Sequence, residues 1–239
     1  HFLRWQRTYE PITDQWIGAS SVFDALVSMA TFRLNEDEAQ EATIIDSSGV
    51  SYKARSIYHP FLGEKAVRNN FDIQNHEYYI ITGANMAGKS TFLRTLGVNY
   101  ILAMNGLPVF AEEMRVSVFR LFTNMRTTDD LTHGISYFNA ELLRLKQLIA
   151  SLDPNVPSLI ILDEILKGTN SLDKLNGSRL FLEYISERNV TGVIATHDLE
   201  LSKLEDENPQ RFHNYSFEIE LGTDVTYTYK IGRGVARNQ

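Results

Sequence analysis

The sequence contains no cysteine among its 239 residues. Disulfide bonds and thiolate metal sites are therefore excluded, and a reducing compartment is consistent with this composition. No uninterrupted apolar run approaches the about 18 residues that a membrane-spanning helix needs. Low-complexity tracts are absent too, and 43% hydrophobic with 22% charged residues is typical of a globular chain. The sequence predicts a cytoplasmic protein without a membrane segment.

An excess of basic residues is also missing, because 23 Lys and Arg stand against 30 Asp and Glu, for a net charge of -7. Surfaces that bind nucleic acid broadly are usually basic. Any contact with DNA is therefore expected mainly from parts of a longer protein. The start at His1 without an initiator Met, and the end at Gln239 without a closing element, predict such a longer protein.

The most informative stretch is a glycine loop between a predicted strand and a predicted helix. Tyr78 to Ile81 has the character of a buried strand, Thr91 to Met104 that of a helix, and GANMAGKS lies between them at Gly83 to Ser90. Glycine lets backbone N–H groups point at phosphate oxygens, and the helix N-terminus adds a favourable dipole. We predict that Lys89 reaches the β- and γ-phosphates of a nucleotide and that Ser90 coordinates Mg²⁺.

Two acids follow a second apolar strand. Leu159 to Leu162 is uninterrupted by polar residues and ends in Asp163 and Glu164. Ligands lie at the carboxyl edge of a parallel sheet, where this strand would deliver both carboxylates. Asp163 is expected to hold Mg²⁺, directly or through water, and Glu164 to polarise the water that attacks the γ-phosphorus. Two solvated acids at the start of a loop are the ordinary alternative.

Two further segments have the character of site residues. His197 follows the next strand, where a neutral imidazole can hydrogen-bond the γ-phosphate or the attacking water; a structural histidine is the alternative. The remaining histidines have no comparable placement and no metal-ligand spacing. Ser136 precedes a helix and is a good N-cap. Because a helix N-terminus also suits a phosphate, this segment can complete the site of a second subunit.

The rest of the chain predicts the fold class. Two amphipathic stretches separated by Pro11 predict a helical hairpin, and the acidic stretch from Asn35 to Asp46 predicts a solvated loop. Strands then alternate with helices around the glycine loop, which predicts an α/β fold with a mostly parallel sheet flanked by helices. The alternating patterns at Phe212 to Leu221 and Val225 to Ile231 predict an additional β portion, which we expect to be antiparallel.

Four motifs in this order resemble the ATPase domain of the MutS family of DNA mismatch repair proteins. They are GANMAGKST, the Gly-x-Ser-x-Phe-x-x-Glu segment at Gly134 to Glu141, LIILDEILKGTNS and ATHDLEL. The resemblance covers about His59 to Gly234 and implies an ATPase domain at 59–239 with a P-loop fold of the ABC-ATPase type. Residues 1–58 are similar only in being a helical segment that would join this domain to the lever and clamp region.

The resemblance implies ATP and Mg²⁺ as ligands and a homodimer with two composite ATP sites in the full-length protein. ATP-dependent dimerisation would be coupled to binding of mismatched or altered DNA, mainly through regions outside this stretch. We expect weak or no ATPase activity from the stretch in isolation. By motif position, the phosphates would be bound by Gly83, Ala84, Asn85, Met86, Ala87, Gly88, Lys89, Ser90 and Thr91.

The same resemblance implies the remaining roles. Catalysis would depend on Glu164, His197 and Lys89, and the metal on Ser90 with Asp163. Ser136 would reach the partner's nucleotide. The loop crossing the dimer interface would contain Asn170, Ser171 and Asp173.

Several positions depart from the family pattern, including Ala84 and Ala87 in the glycine loop. The aromatic residue that would stack on adenine falls near Ala66 or Val67, neither of which is aromatic, and Tyr229 is a candidate substitute. These departures leave open an ATP-driven switch that acts on another DNA structure or on a protein or membrane partner. The sequence lacks the Leu-Ser-Gly-Gly-Gln segment that is expected of a transporter ATPase, which disfavours that function. It also lacks the acceptor-binding lid that is expected of a small-molecule kinase.

Overall fold

The computed structural model describes residues 2–37, 39–125, 137–166, 171–221 and 225–237. Contacts divide the chain into two compact units, His1–Ala39 and Gln40–Gln239. The sequence placed a domain boundary at residue 58. The boundary between the two units lies earlier, after Ala39, because residues 43–57 contribute two strands that pair with strands further along the chain.

The first unit contains one helix, α1, which runs without a break through Phe2–Asn35. The predicted hairpin at Pro11 is therefore wrong. Proline lacks an N–H but has a φ compatible with a helix, so a long helix can tolerate it at the loss of one hydrogen bond. The rings of Tyr9 and Trp16 on either side of Pro11 have centroids 5.8 Å apart, a contact that a hairpin would separate.

One stretch of α1, Ile12–Asn35, has a mean hydropathy of 1.2 over an 18-residue window. By length and composition alone it can cross a membrane, even though it contains no long uninterrupted apolar run. A single helix of this kind is a weak indication, because core helices of soluble proteins and signal sequences have the same properties.

The second unit is α/β with two mixed sheets, so the predicted fold class is confirmed at that level. Its strands are β1 (Thr43–Ile45), β2 (Ser51–Ile57), β3 (Asn69–Gln74), β4 (Tyr78–Gly83), β5 (Glu113–Ser117), β6 (Arg120–Asn124), β7 (Ser158–Asp163), β8 (Val190–Ala195), β9 (Phe212–Leu221) and β10 (Val225–Arg233). Its helices are α2 (Lys89–Met104), α3 (Tyr137–Ser151), α4 (Ser171–Ser186) and α5 (Leu204–Glu207), with 3₁₀ turns at Pro60–Lys65 and Leu199–Lys203.

The larger sheet has the order β10-β9-β4-β8-β7-β6. Its strands from β9 to β6 are parallel, and β10 is antiparallel to β9. The smaller sheet has the order β1-β5-β2-β3. Strand β1 lies in the stretch predicted to be a solvated loop. Its three residues are too few for a periodic signal, and it exists because it pairs in parallel with β5.

The larger sheet is covered on both faces, which explains why its central strands are apolar throughout. Tyr78 and Ile80 of β4 pack in one cluster with side chains of α3 and α4. Tyr79 and Ile81 pack in the other cluster, with α2 and the smaller sheet. Because successive side chains of a strand point to opposite faces, β4 is fixed from both sides just before the glycine loop.

A buried asparagine joins α2 to the end of β2. Asn99 is fully buried, and its Nδ2 donates to the carbonyl oxygens of Tyr58 and Thr95 at 3.2 and 2.9 Å. Its Oδ1 accepts from the N–H of Phe110 at 2.7 Å. One side chain thus satisfies backbone groups from three segments.

We expect Asn99→Ala to lower the free energy of unfolding by about 2–4 kcal/mol, because it leaves buried backbone groups without partners. Urea denaturation of the 239-residue chain measures the change. Asn105→Ala is the matched control, because the side chain of this exposed asparagine donates to Ile101 O within the last turn of the same helix; its effect should be about 0.5 kcal/mol or less. Equal losses from the two variants would contradict the assignment.

Candidate functional site

A cavity of about 480 Å³ opens where β4, β7 and β8 end. Its wall includes Lys89, Ser90, Asp163 and His197, four of the residues that the sequence assigned to one site. The order β4-β8-β7 accounts for their meeting, because the carboxyl ends of neighbouring parallel strands lie at one edge of the sheet. The cavity wall also contains Ala84, Asn85, Met86, Gly88 and Thr91 of the predicted phosphate-binding segment.

The glycine loop has a backbone that ordinary residues rarely adopt. Gly83 has a φ of 144° and Gly88 a φ of 108°. A Cβ atom on Gly83 would lie 2.6 Å from the carbonyl oxygen of Phe217, on the paired strand β9. Gly88 is the N-cap of α2, so the first N–H groups of this helix face the cavity end of the loop without intrahelical partners.

Lys89 is the buried cation of the site. The residue is only 6% exposed, and its Nζ donates to the carbonyl oxygens of Gly83 and Ala84 at 2.6 and 2.9 Å. These two bonds fold the start of the loop over the end of β4. The ammonium group is therefore held beside the N-terminus of α2. Its positive charge and the helix dipole both favour binding of an anion.

Asp163 contributes a carboxylate to the opposite wall. It is 7% exposed, and its Oδ2 is buried without a hydrogen-bond partner among the described residues. A buried carboxylate oxygen is costly unless a cation or a donor satisfies it. The hydroxyl of Ser90 lines the same cavity. One carboxylate with a hydroxyl is a donor set that suits Mg²⁺ when a phosphate supplies further oxygens, so these residues fit the predicted metal.

Glu164 has different surroundings from the acid next to it. It does not belong to the cavity wall formed by the described residues. Its φ is 63°, and its Oε1 accepts from the ammonium of Lys174, in the first turn of α4, at 3.0 Å. Asp163 therefore lines the cavity, whereas Glu164, the predicted catalytic residue, does not belong to the described wall.

His197 reaches the cavity because β8 lies between β4 and β7. The N–H of Thr196 donates to the carbonyl of Ile81 at 2.9 Å, which ties the end of β8 to β4. The Thr196 hydroxyl accepts from the N–H of Asp198 at 3.0 Å. These bonds fix the short turn that presents His197 between the glycine loop and Asp163.

Other predicted residues lie elsewhere. Ser136 and Asn170 lie outside the described residues, and Ser171 is the first residue of α4. Asp173 is exposed in the first turn of α4 and does not belong to the described cavity wall. Gly83 and Ala87 belong to the glycine loop, but they are buried and do not line the cavity.

Tyr229 lines the cavity, although it is far from the loop in sequence. It lies in an irregular part of β10 and has a φ of 53°. Asn69 holds this irregularity, because its Nδ2 donates to Tyr229 O at 3.1 Å and its Oδ1 accepts from Ile231 N–H at 3.0 Å. Val67, where the sequence lacked an aromatic residue, lines the same cavity.

His59 is a cavity residue that the sequence analysis missed. Its Nδ1 accepts from the N–H of Phe61 at 3.3 Å, so the proton of the neutral ring is on Nε2. Burial and the charge of Arg94 lower the pKa of His59, which keeps the ring neutral at pH 7. The pair His59-Pro60, together with Asn69, resembles the start of the family's domain, but it does not indicate a particular chemistry.

The pattern of MutS domain V matches residues 79–239. The chain is 32% identical over 222 residues to the DNA mismatch repair protein MutS of Acetivibrio thermocellus, covering 90% of this chain and 25% of that protein. It is also 32% identical over 239 residues to the DNA mismatch repair protein MutS of Syntrophomonas wolfei, covering 95% and 27%. The chain spans about a quarter of the length of these relatives.

We expect Gly83→Ala to destabilise the chain by about 3 kcal/mol or more, because the new methyl group would combine an unfavourable φ with a backbone clash. Gly106→Ala is the matched control, since Gly106 has a φ of 66° but open space where a methyl group would lie. This control should lose only about 1 kcal/mol. Thermal or urea denaturation compares the two, and a smaller loss for Gly83→Ala than for Gly106→Ala would contradict the prediction.

Proposed function

Because the chain belongs to the MutS family, we propose that it is the ATP-binding and ATP-hydrolysing domain of a MutS-like DNA mismatch repair protein. The observation that carries this proposal is the single cavity shared by Lys89, Ser90, Asp163 and His197. A helix N-terminus with a buried cation suits a triphosphate, and a buried carboxylate oxygen without a partner suits a metal ion. The fold we propose is that of a P-loop ATPase of the ABC type.

The phosphates of ATP lie along the glycine loop in this proposal. Backbone N–H groups at the start of α2 donate to phosphate oxygens, and Lys89 neutralises charge at the β- and γ-phosphates. Ser90 and Asp163 would hold Mg²⁺, which would neutralise charge on the phosphate oxygens. Catalysis of this kind depends on positioned charge and needs no covalent intermediate.

The two remaining polar residues, Glu164 and His197, have their proposed roles in the hydrolysis step. Water forms a bond to the γ-phosphorus, the bond from that phosphorus to the bridging oxygen of ADP breaks, and Glu164 accepts the proton of the water. In the structure, Oε1 of Glu164 accepts from the ammonium of Lys174. His197 is already at the cavity and donates a hydrogen bond to the γ-phosphate or the water.

Part of the cavity wall, beside Gly88 of the glycine loop, carries groups that suit the base of the nucleotide. Tyr229 provides an aromatic face and Val67 an apolar surface, while Asn69 fixes the backbone that carries the ring. Stacking on aromatic side chains is the common way in which proteins hold a base. His59 offers a neutral Nε2–H donor in the same wall.

The proposal extends to the full-length protein as a homodimer with two composite ATP sites. Ser136 would complete the partner's site, and Asn170, Ser171 and Asp173 would lie at the interface. ATP-dependent dimerisation would be coupled to binding of mismatched or altered DNA. The net charge of -7 argues against a broad DNA-binding surface on this chain, so the proposal assigns DNA contact to other regions of the protein.

Paired variants of the full-length protein separate binding from turnover. We expect Lys89→Ala to abolish binding of ATP with Mg²⁺, because the cavity loses its buried cation. Glu164→Gln should retain binding and lower turnover by about 100-fold or more. Calorimetry measures binding and phosphate release measures turnover, with Lys53→Ala on the exposed side of β2 as the control. Full hydrolysis by Glu164→Gln would remove the catalytic assignment, and no heat with wild type would remove the proposed function.

Mixing two inactive variants tests the composite site. Ser136→Arg blocks the group that serves the partner's nucleotide, and Lys89→Ala blocks the subunit's own site. Each variant alone should be inactive, whereas mixed dimers should regain up to about half the wild-type turnover for each heterodimer, since one complete site forms there. Absence of any complementation, with dimers confirmed by light scattering, would count against a shared site.

A further inference from the structure

The segment after β7 is anchored by two helices on the face of the sheet away from α2. Oε1 of Glu141, on α3, accepts from the N–H of Leu166 at 2.7 Å. The ammonium of Lys174, on α4, donates to Oε1 of Glu164 at 3.0 Å. Glu164 and Leu166 both have positive φ, at 63° and 57°. These anchors therefore hold a backbone conformation that is unfavourable for residues with side chains.

The contact between Lys174 and Glu164 is sheltered from solvent. The two side chains are 18% and 12% exposed, respectively. Ion pairs of exposed side chains are weakened by water and salt, whereas screening is much less for partly buried pairs. The pair therefore restrains Glu164 more strongly than a surface ion pair such as Lys203 with Glu200, whose side chains are 59% and 53% exposed.

The position of Glu164 contrasts with that of Asp163. Asp163 lines the cavity with one oxygen unsatisfied, whereas Glu164 is paired with Lys174 and does not belong to the described wall. We propose that Lys174 is a positioning residue that holds Glu164 away from the nucleotide, so that hydrolysis starts only after the first turn of α4 moves. This inference rests on the proposed function, because it requires Glu164 to act on the attacking water.

The chemistry explains why this contact restrains turnover. A carboxylate oxygen that accepts a hydrogen bond from an ammonium is held in place, so it cannot approach the attacking water at the same time. Releasing it should let Glu164 reach the cavity. Binding of the triphosphate involves the glycine loop and Asp163, so loss of Lys174 should change turnover without changing affinity.

The test uses the full-length protein and the variant Lys174→Met, which keeps the chain length and removes the charge. We expect kcat for ATP hydrolysis to rise about tenfold, corresponding to about 1.4 kcal/mol. The affinity for ATP with Mg²⁺, from calorimetry, should stay that of wild type. Lys174→Arg restores a cation and should return kcat toward wild type. Lys203→Met removes an exposed lysine of another ion pair and controls for the loss of charge.

The outcomes separate this inference from the proposed function. If wild type binds ATP and Lys174→Met shows an unchanged or lower kcat, the restraint is refuted while the ATPase assignment stands. If wild type does not bind ATP at all, the proposed function fails first. A merely structural role would lower both Tm and kcat. If Lys174→Met does not fold, Lys174→Gln takes its place, and a kcat no higher than wild type in this folded variant overturns the inference.

Discussion

The buried ammonium of Lys89 is the interaction on which the candidate site depends. A buried cation must be satisfied, and here the carbonyl oxygens of Gly83 and Ala84 accept its hydrogens. They can do so only because the chain turns back over the end of β4 through the unusual φ of Gly83. The direction of α2 and the position of its N-terminal N–H groups are thereby set together.

The strand order of the larger sheet determines which other side chains lie near this cation. Parallel strands place their carboxyl ends at one edge, and the order β4-β8-β7 puts His197 between the glycine loop and Asp163. Hydrogen bonds from two buried asparagines also fix segments of the cavity wall. Asn99 fixes the end of β2, and Asn69 fixes the irregular part of β10 that carries Tyr229. The cavity wall is thus built by segments from most of the second unit.

Features set by neighbours in sequence were predictable, and features set by distant contacts were not. The glycine loop, the strand before Asp163 and the strand before His197 each have a local pattern, and the edge of a parallel sheet brings them together. Tyr229 remained only a candidate because its placement depends on Asn69, 160 residues away. Strand β1 was missed because it exists only through pairing with β5. The hairpin at Pro11 was wrong because local propensity favours a break, whereas the aromatic contacts span it.

The orientation of Glu164 could not be predicted from the sequence either. Because of it, the two acids at the end of β7 differ: Asp163 lines the cavity, whereas Glu164 contacts α4. The glycine loop continues into α2, on one face of the sheet, whereas the segment after β7 is anchored by α3 and α4, on the other face. In the proposed function, ATP binding therefore depends on one face and the position of the catalytic carboxylate on the other. On that proposal, a rearrangement of α4 would change turnover while the nucleotide stays bound.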